Sequence, residues 1–423
     1  MPAVARAALT GGRSPLIVHS HLRWDFVWQR PQQILSRFGR SRAVLYVEEP
    51  VFVDDCVAGS LDLSSPSDGV HRVVPRLPSA LAGSYDDAGA VIRTLLLQLV
   101  SEGGRLAGMF DHAVQWFYTP MPAPLMIGAF EERGIVYDCM DELAQFRFAP
   151  PELTQRERFL MSKADVVFTG GRQLFESKSR YHHNVHFFGC GVDADHFARA
   201  RHADTPVAPE LRDLPRPVLG YFGVVDERLD YNLIDRLAGR FSNGSVVFVG
   251  PVVKVDRREL PARSNVHWLG QRAYAQLPEY VKGFDVCLMP FALNEATELI
   301  NPTKTLEYMA AGKPIVSTAV PDVVRNFAPV VSVAGSTDEF VEAAHAATTP
   351  DETRIAAGIA RAREATWESI VSAMDHLVAR AVRHAPPEVG SASAIMARRR
   401  RAAAGNPAAG RSESANDGTA NVA

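Results

Sequence analysis

The chain has 423 residues, of which 47% are hydrophobic and 22% charged, with a formal net charge of -3. That length exceeds what one core fills, so two domains are expected, and the charge gives no overall basic field for nucleic acid. Cys56, Cys139, Cys190 and Cys287 lie too far apart for a zinc site or a disulfide framework. No run approaches eighteen apolar residues, and Met1 to Pro15 lacks the apolar run of a signal peptide, so a cytoplasmic chain with no membrane span is expected.

In chain order, short apolar runs at 16–19, 43–47, 113–118, 135–137 and 166–168 read as strands. A second series follows at 218–222, 246–249, 266–269, 286–289 and 315–317. Gly, Pro, Asn or Asp bound most of them, which suits strands covered on both faces. Helical patterns fall between, as at 151–163 and 275–282. Alternation of this kind predicts parallel sheets built from βαβ units.

The series divides at 199–217, a polar stretch with four prolines that reads as a linker. The predicted class is therefore α/β, with two Rossmann-like doubly wound domains, 1–198 and 218–350, facing a cleft. A helical segment at 351–385 carries Trp367 and an apolar stripe through Val378. Residues 386–423, rich in Ala, Gly, Ser and Pro with four arginines at 398–401, predict a disordered tail. The arginine run reads as solvated, with contact to anionic lipid or RNA as the alternative.

The segment from Asn301 to Thr318 carries most chemistry. Asn301 suits an N-cap, Pro302 a first helical position and Gly312 the left-handed residue past the end, so a helix over 302–311 is predicted. Its N-terminus would favour an anion, and Lys304 adds a charge there. Glu307 lies one turn on, placed to accept ribose hydroxyls. The same spacing also suits a plain i,i+3 surface pair.

The run PTKTLEYMAAGKPIVST resembles the donor-nucleotide helix of retaining glycosyltransferases of the two-Rossmann-domain (GT-B) architecture, especially family 4. Gly220-Tyr-Phe-Gly223 with Asp226-Glu-Arg228, Val247-Phe-Val-Gly250, Asn265 to Gly270, Asp285 to Phe291 and Gly191-Val-Asp193 with Phe197 resemble further motifs of that family. The resemblance spans about residues 16–378 and is stronger in the second domain. It implies that Glu307 binds the donor ribose, with Gly223, Ile300, Asn301 and Thr303 around a diphosphate. Two departures stand out. The family's E-x7-E pair would place a carboxylate at Leu299, whereas the glutamate here is Glu298. Where members commonly have a histidine near the donor sugar, this chain has Asp141 at the end of Val136-Tyr-Asp-Cys-Met-Asp141. Asp141 could steady charge on the departing sugar or cap the next helix.

The loop after the first strand carries His21, Arg23, Trp24, Asp25, Trp28, Gln29 and Arg30 instead of the family's usual glycines. Rings beside fork-shaped donors suit recognition of sugar faces and hydroxyls or of an acceptor phosphate, and the same residues also suit packing between domains. His21 and His112 read as structural first. The whole pattern resembles a bacterial subgroup that includes enzymes named for teichuronic-acid biosynthesis, which implies a cell-envelope glycan or lipid-linked acceptor. The expected reaction is retaining transfer from a nucleotide-diphosphate sugar, with Lys304, Arg228 and the helix N-terminus in place of a metal and no cofactor. Contact with the inner membrane face is compatible with this reading. A nucleotide-sugar epimerase of the same architecture, or a non-catalytic sugar-binding component, stays open on sequence.

Overall fold

A computed structural model describes residues 13–55, 57–146, 149–298 and 300–384. Cys56, Leu299, the start of the chain and the predicted tail with Arg398 to Arg401 lie outside the described residues.

The first domain is built on β1 (Leu16–Ser20), β2 (Val44–Glu48), β3 (Val51–Val53), β4 (Ser60–Ser67), β5 (Val70–Pro78), β6 (Val114–Phe117), β7 (Gly134–Cys139), β8 (Val166–Thr169) and β9 (Val185–Phe187). Its sheet runs β3-β5-β2-β1-β6-β7-β8-β9, with β4 added antiparallel on β5 and every other pair parallel. All five residues of β1 are buried, as a strand covered on both faces requires. The order reverses at β1, whose carboxyl end opens into the loop His21–Gln29. Ligands of doubly wound sheets sit at such a reversal.

The second domain holds β10 (Val218–Phe222), β11 (Ser245–Val249), β12 (Val266–Gly270), β13 (Val286–Met289), β14 (Ile315–Thr318) and β15 (Ser332–Ala334). All are parallel, in the order β12-β11-β10-β13-β14-β15. Here the reversal lies between β10 and β13.

Three features differ from the sequence expectation. First, β3, β4, β5, β9 and β15 were not expected; Pro75 and Pro78 in β5 and the polar run of β4 hide the hairpin from a pattern search. Second, 199–217 is no loose tether. Ala200, Ala208 and Leu211 are buried in the second domain's core, the Ala208 amide donates to the Glu279 carbonyl at 3.1 Å, and the Lys282 ammonium donates to the Thr205 carbonyl at 2.6 Å. Third, the C-terminal helical segment is two helices, Glu352–Glu364 and Trp367–His384. The second crosses back, so that Trp367, Met374 and Val378 complete the first domain's core beside Leu16, Val18 and Trp116. Among the described residues no helix is long and apolar enough to cross a membrane.

Candidate active site between the two sheets

β10 and β11 end on Phe222 and Val249, and each is followed by a glycine with positive φ: Gly223 at 149° and Gly250 at 155°. A Cβ on Gly250 would stand 1.7 Å from the Gly223 carbonyl oxygen. The two strand ends are therefore in backbone contact, which no other residue type permits without displacement. Past β13 the chain enters the helix Lys304–Ala310, shorter than the predicted 302–311. Asn301 does not cap it. Its amide reaches across to donate to the Gly170 carbonyl of the first domain at 3.1 Å, and Thr303 holds the N-cap position without a side-chain capping bond, its hydroxyl lying 3.3 Å from Cys190 Sγ. Gly312, at φ 68°, ends the helix as expected.

Glu307 is 4% exposed and belongs to the wall of a cavity of about 520 Å³. Lys304 Nζ lies 3.3 Å from Glu307 Oε2, an ion pair at i,i+3. The pair is not aligned as a hydrogen bond, and Oε2 has no hydrogen-bond partner. Burial raises the Glu307 pKa, and the Lys304 charge partly offsets that rise. Lys304 also sits 5.1 Å above the Phe222 ring. Gly223, Gly250 and Tyr274 share the cavity, which Trp24, Asp25, Phe26, Val27 and Trp28 of the first domain close from the other side.

A smaller recess, about 120 Å³, shares Val27, Trp28 and Lys304 with the first. It brings together Asp141, Arg228, Arg30, Ile300, Asn301 and Thr303. The turn after Asp141 has Glu142 at its N-cap position, so Asp141 is not the cap. Burial pushes its carboxyl up to about 6, against the lowering effect of Arg228 and with Asp226 adding to the rise. Arg228, expected beside the diphosphate, has a carboxylate partner in its own turn. Its Nε and Nη2 grip Asp226 at 3.0 and 2.7 Å, so much of its charge is spent within its own turn.

The loop after β1 is divided in its roles. Arg23 donates to Glu48 at 3.0 Å and to the Glu49 carbonyl at 2.6 Å, and it lines neither cavity. Trp24 is a core residue, edge-on to Tyr46 at 5.1 Å, that still touches the cavity. Asp25 is exposed on the rim and pairs with Arg72. Arg30 is 3% exposed and clamps Asp138, itself fully buried, at 3.0 Å. His21 lies outside both linings, with its pKa lowered to about 4 by burial and by nearby Lys254. Glu298 ends the turn Glu295–Glu298, exposed and outside both linings, so the structure does not bring it to Glu307; Leu299 lies outside the described residues.

Sequence reasoning missed Asp138, Glu48 and Tyr274, and it gave Asp226 no role beyond its motif. A carboxylate inside the apolar run of β7 was the available signal for Asp138, because a charge buried there needs a partner. Tyr274 gave no local signal. Its hydroxyl accepts from Gln33 Nε2 at 3.0 Å, and its ring lies 5.9 Å from Trp28 and 4.4 Å from His196. One side chain thus touches both domains and the donor-side cavity.

Two Rossmann-type sheets whose carboxyl ends meet over a buried glutamate define the GT-B class of glycosyltransferases. Residues 216–349 match the family model described as Glycosyl transferases group 1. The chain carries a glycosyl transferases group 1 domain and is a glycosyltransferase. It is 25% identical over 279 residues to a Bacillus subtilis (strain 168) protein named "Putative teichuronic acid biosynthesis glycosyltransferase TuaH", covering 62% of this chain and 68% of that one. Among solved structures, an E. coli structure described as trehalose-6-phosphate bound with UDP-2-fluoro glucose superposes with a TM-score of 0.64 at 13% identity, covering 88% of this chain and 100% of that one. The sucrose-phosphate synthase of Thermosynechococcus elongatus gives 0.63 at 14% identity, with 87% and 99% covered. At these identities the structural likeness speaks for the fold.

Proposed function

We propose that the chain moves a sugar from a nucleotide-diphosphate sugar to a glycan or lipid-linked acceptor of the cell envelope, in the cytoplasm, with retention of configuration and without a metal. The observation that carries this reading is Glu307, a buried carboxylate whose Oε2 meets the Lys304 ammonium at 3.3 Å without an aligned hydrogen bond, under the glycine-lined ends of β10 and β11. A carboxylate oxygen in need of a donor suits a ribose hydroxyl. The ammonium beside it suits a leaving diphosphate, and charge placed where charge develops is the main electrostatic device of such catalysis. The relative named for teichuronic acid biosynthesis supports the envelope acceptor.

Thermal shift across UDP, GDP, ADP and TDP sugars, with chelator present, tests the donor assignment. A donor at about 100 times its Kd adds roughly 2.7 kcal/mol of stability. One nucleotide class is expected to stabilise the wild type. Glu307→Ala is expected to weaken that donor by about 1–3 kcal/mol, because the ribose hydroxyls lose a charged acceptor. Unchanged affinity in the variant would sink the ribose role, and silence toward every nucleotide would sink the whole reading.

Asp141 supplies a pH signature. Its ionised form is the one that steadies positive charge on the departing sugar, so turnover is expected to fall as pH drops through about 6. The same shift has a stability consequence of fixed sign. A carboxyl that holds its proton more tightly when folded favours the fold at low pH, and that contribution fades as pH rises from about 4 to about 6. Asp141→Asn should remove both the acid limb of the rate profile and this fading. A limb that persists in the variant assigns it to another group.

A further inference from the structure

The wall that faces Glu307 and Lys304 across the cavity carries the aromatic rings of Trp24, Phe26 and Trp28 with Asp25 on its rim. The first-domain arginines behind it are committed, and Arg272, which lines the cavity from the second domain, pairs with Glu210 at 3.0 Å. Arg72 binds Glu48 through Nε at 2.7 Å and also pairs with Asp25, while Arg23 binds Glu48 at 3.0 Å. These two cations are balanced by two carboxylates, and the Glu48 side chain is 0% exposed. Arg30, on the adjoining recess, is balanced in the same way by buried Asp138. An anionic ligand on this wall would have to draw Arg23 or Arg72 off buried Glu48, or Arg30 off buried Asp138, and so weaken the compensation of a carboxylate shut off from water, which is costly. The half-buried rings of Phe26 and Trp28 beside exposed Asp25 suit another chemistry: the apolar face of a sugar ring against the aromatics, with its hydroxyls donating to Asp25.

Building on the glycosyl-transfer reading, we infer that this wall selects an acceptor whose reacting sugar is uncharged, and that Trp28 and Asp25 hold it. Paired arginines make the wall blind to phosphate. Neutralising Asp25 leaves Arg72 with Glu48 as its remaining carboxylate, so the variant acquires the net positive charge that the native wall lacks.

The test titrates methyl hexopyranosides and methyl N-acetylhexosaminides, each beside its 6-phosphate, onto the full chain without nucleotide. Binding is read by saturation-transfer NMR and tryptophan fluorescence. An uncharged glycoside is expected to bind at least about tenfold tighter than its 6-phosphate. Trp28→Ala should weaken the uncharged glycoside by about tenfold or more. Asp25→Asn should strengthen the 6-phosphate by about fivefold, the worth of one unscreened unit charge at the cavity edge. Because Asp25 is on the exposed rim, that variant keeps the test open if Trp28→Ala does not fold. Tighter binding of the phosphates, equal binding of neutral sugars by wild type and Trp28→Ala, or no saturable binding of any uncharged glycoside each overturns the inference. The donor thermal shift is measured separately, so failure here with an intact, Glu307-dependent donor response leaves the glycosyl-transfer reading standing.

Discussion

Replacing Asp138 with alanine is expected to cost about 3–5 kcal/mol of folding stability, measured by urea denaturation. Asp138 is 0% exposed, and Arg30 at 3% has its Nε 3.1 Å from one carboxylate oxygen and its Nη2 3.0 Å from the same atom. Arg30 Nη1 also donates to the Phe188 carbonyl at 2.8 Å. With the carboxylate gone, backbone carbonyl dipoles face a full buried charge that they cannot neutralise. The cost is mainly that of the stranded guanidinium and not the net worth of the pair. Arg30→Met/Asp138→Leu should therefore recover most of the loss, since it strands nothing. A single variant within about 1 kcal/mol of wild type would mean that water reaches Arg30 through the adjoining recess.

Gly250→Ala should be nearly as damaging and for a different reason. The new Cβ would meet the Gly223 carbonyl oxygen at 1.7 Å, a backbone atom held in place because the Gly223 amide donates to Val249 O at 2.9 Å. Relief requires β10 and β11 to part at their carboxyl ends. Together with an unfavourable φ of 155°, this puts the cost at about 2–4 kcal/mol. The nucleotide response should be lost as well, because the displaced atoms floor the donor-side cavity. Gly223→Ala makes the informative contrast. Its Cβ would press on the Tyr221 hydroxyl at 2.6 Å and on Lys304 Cε at 3.2 Å, which are side-chain atoms that can move. It should fold better than Gly250→Ala yet still disturb Lys304. Equal stability of Gly250→Ala and wild type, by denaturation, would show that the strand ends yield freely.

These two sites mark what the sequence could and could not disclose. The glycines were legible because they close apolar runs, and the ten strands expected from such runs all occur in the structure. Glu307 and Lys304 were legible because their relation is local, one turn of one helix. The Arg30–Asp138 clamp joins residues 108 apart, and no local pattern carries a pairing of that span. The same holds for Arg23 and Arg72 converging on Glu48, which turned apparent ligand donors into internal scaffolding. Asn301 shows the converse. Its local preference for an N-cap was sound, and a tertiary partner at Gly170 prevailed.

The return of the last helix has a consequence for how the chain is made. Trp367, Met374 and Val378 fill the core over β1 and β6, whose own residues emerge from the ribosome some 250 to 350 positions earlier. Vectorial synthesis thus supplies the second domain with its whole sheet while the first still waits for its closing helix. The domain begun first is finished last. A released chain that ends near residue 366 should consequently bind folding helpers through an uncovered face of the first sheet, beside a second domain that has all of its strands and the helix Glu352–Glu364.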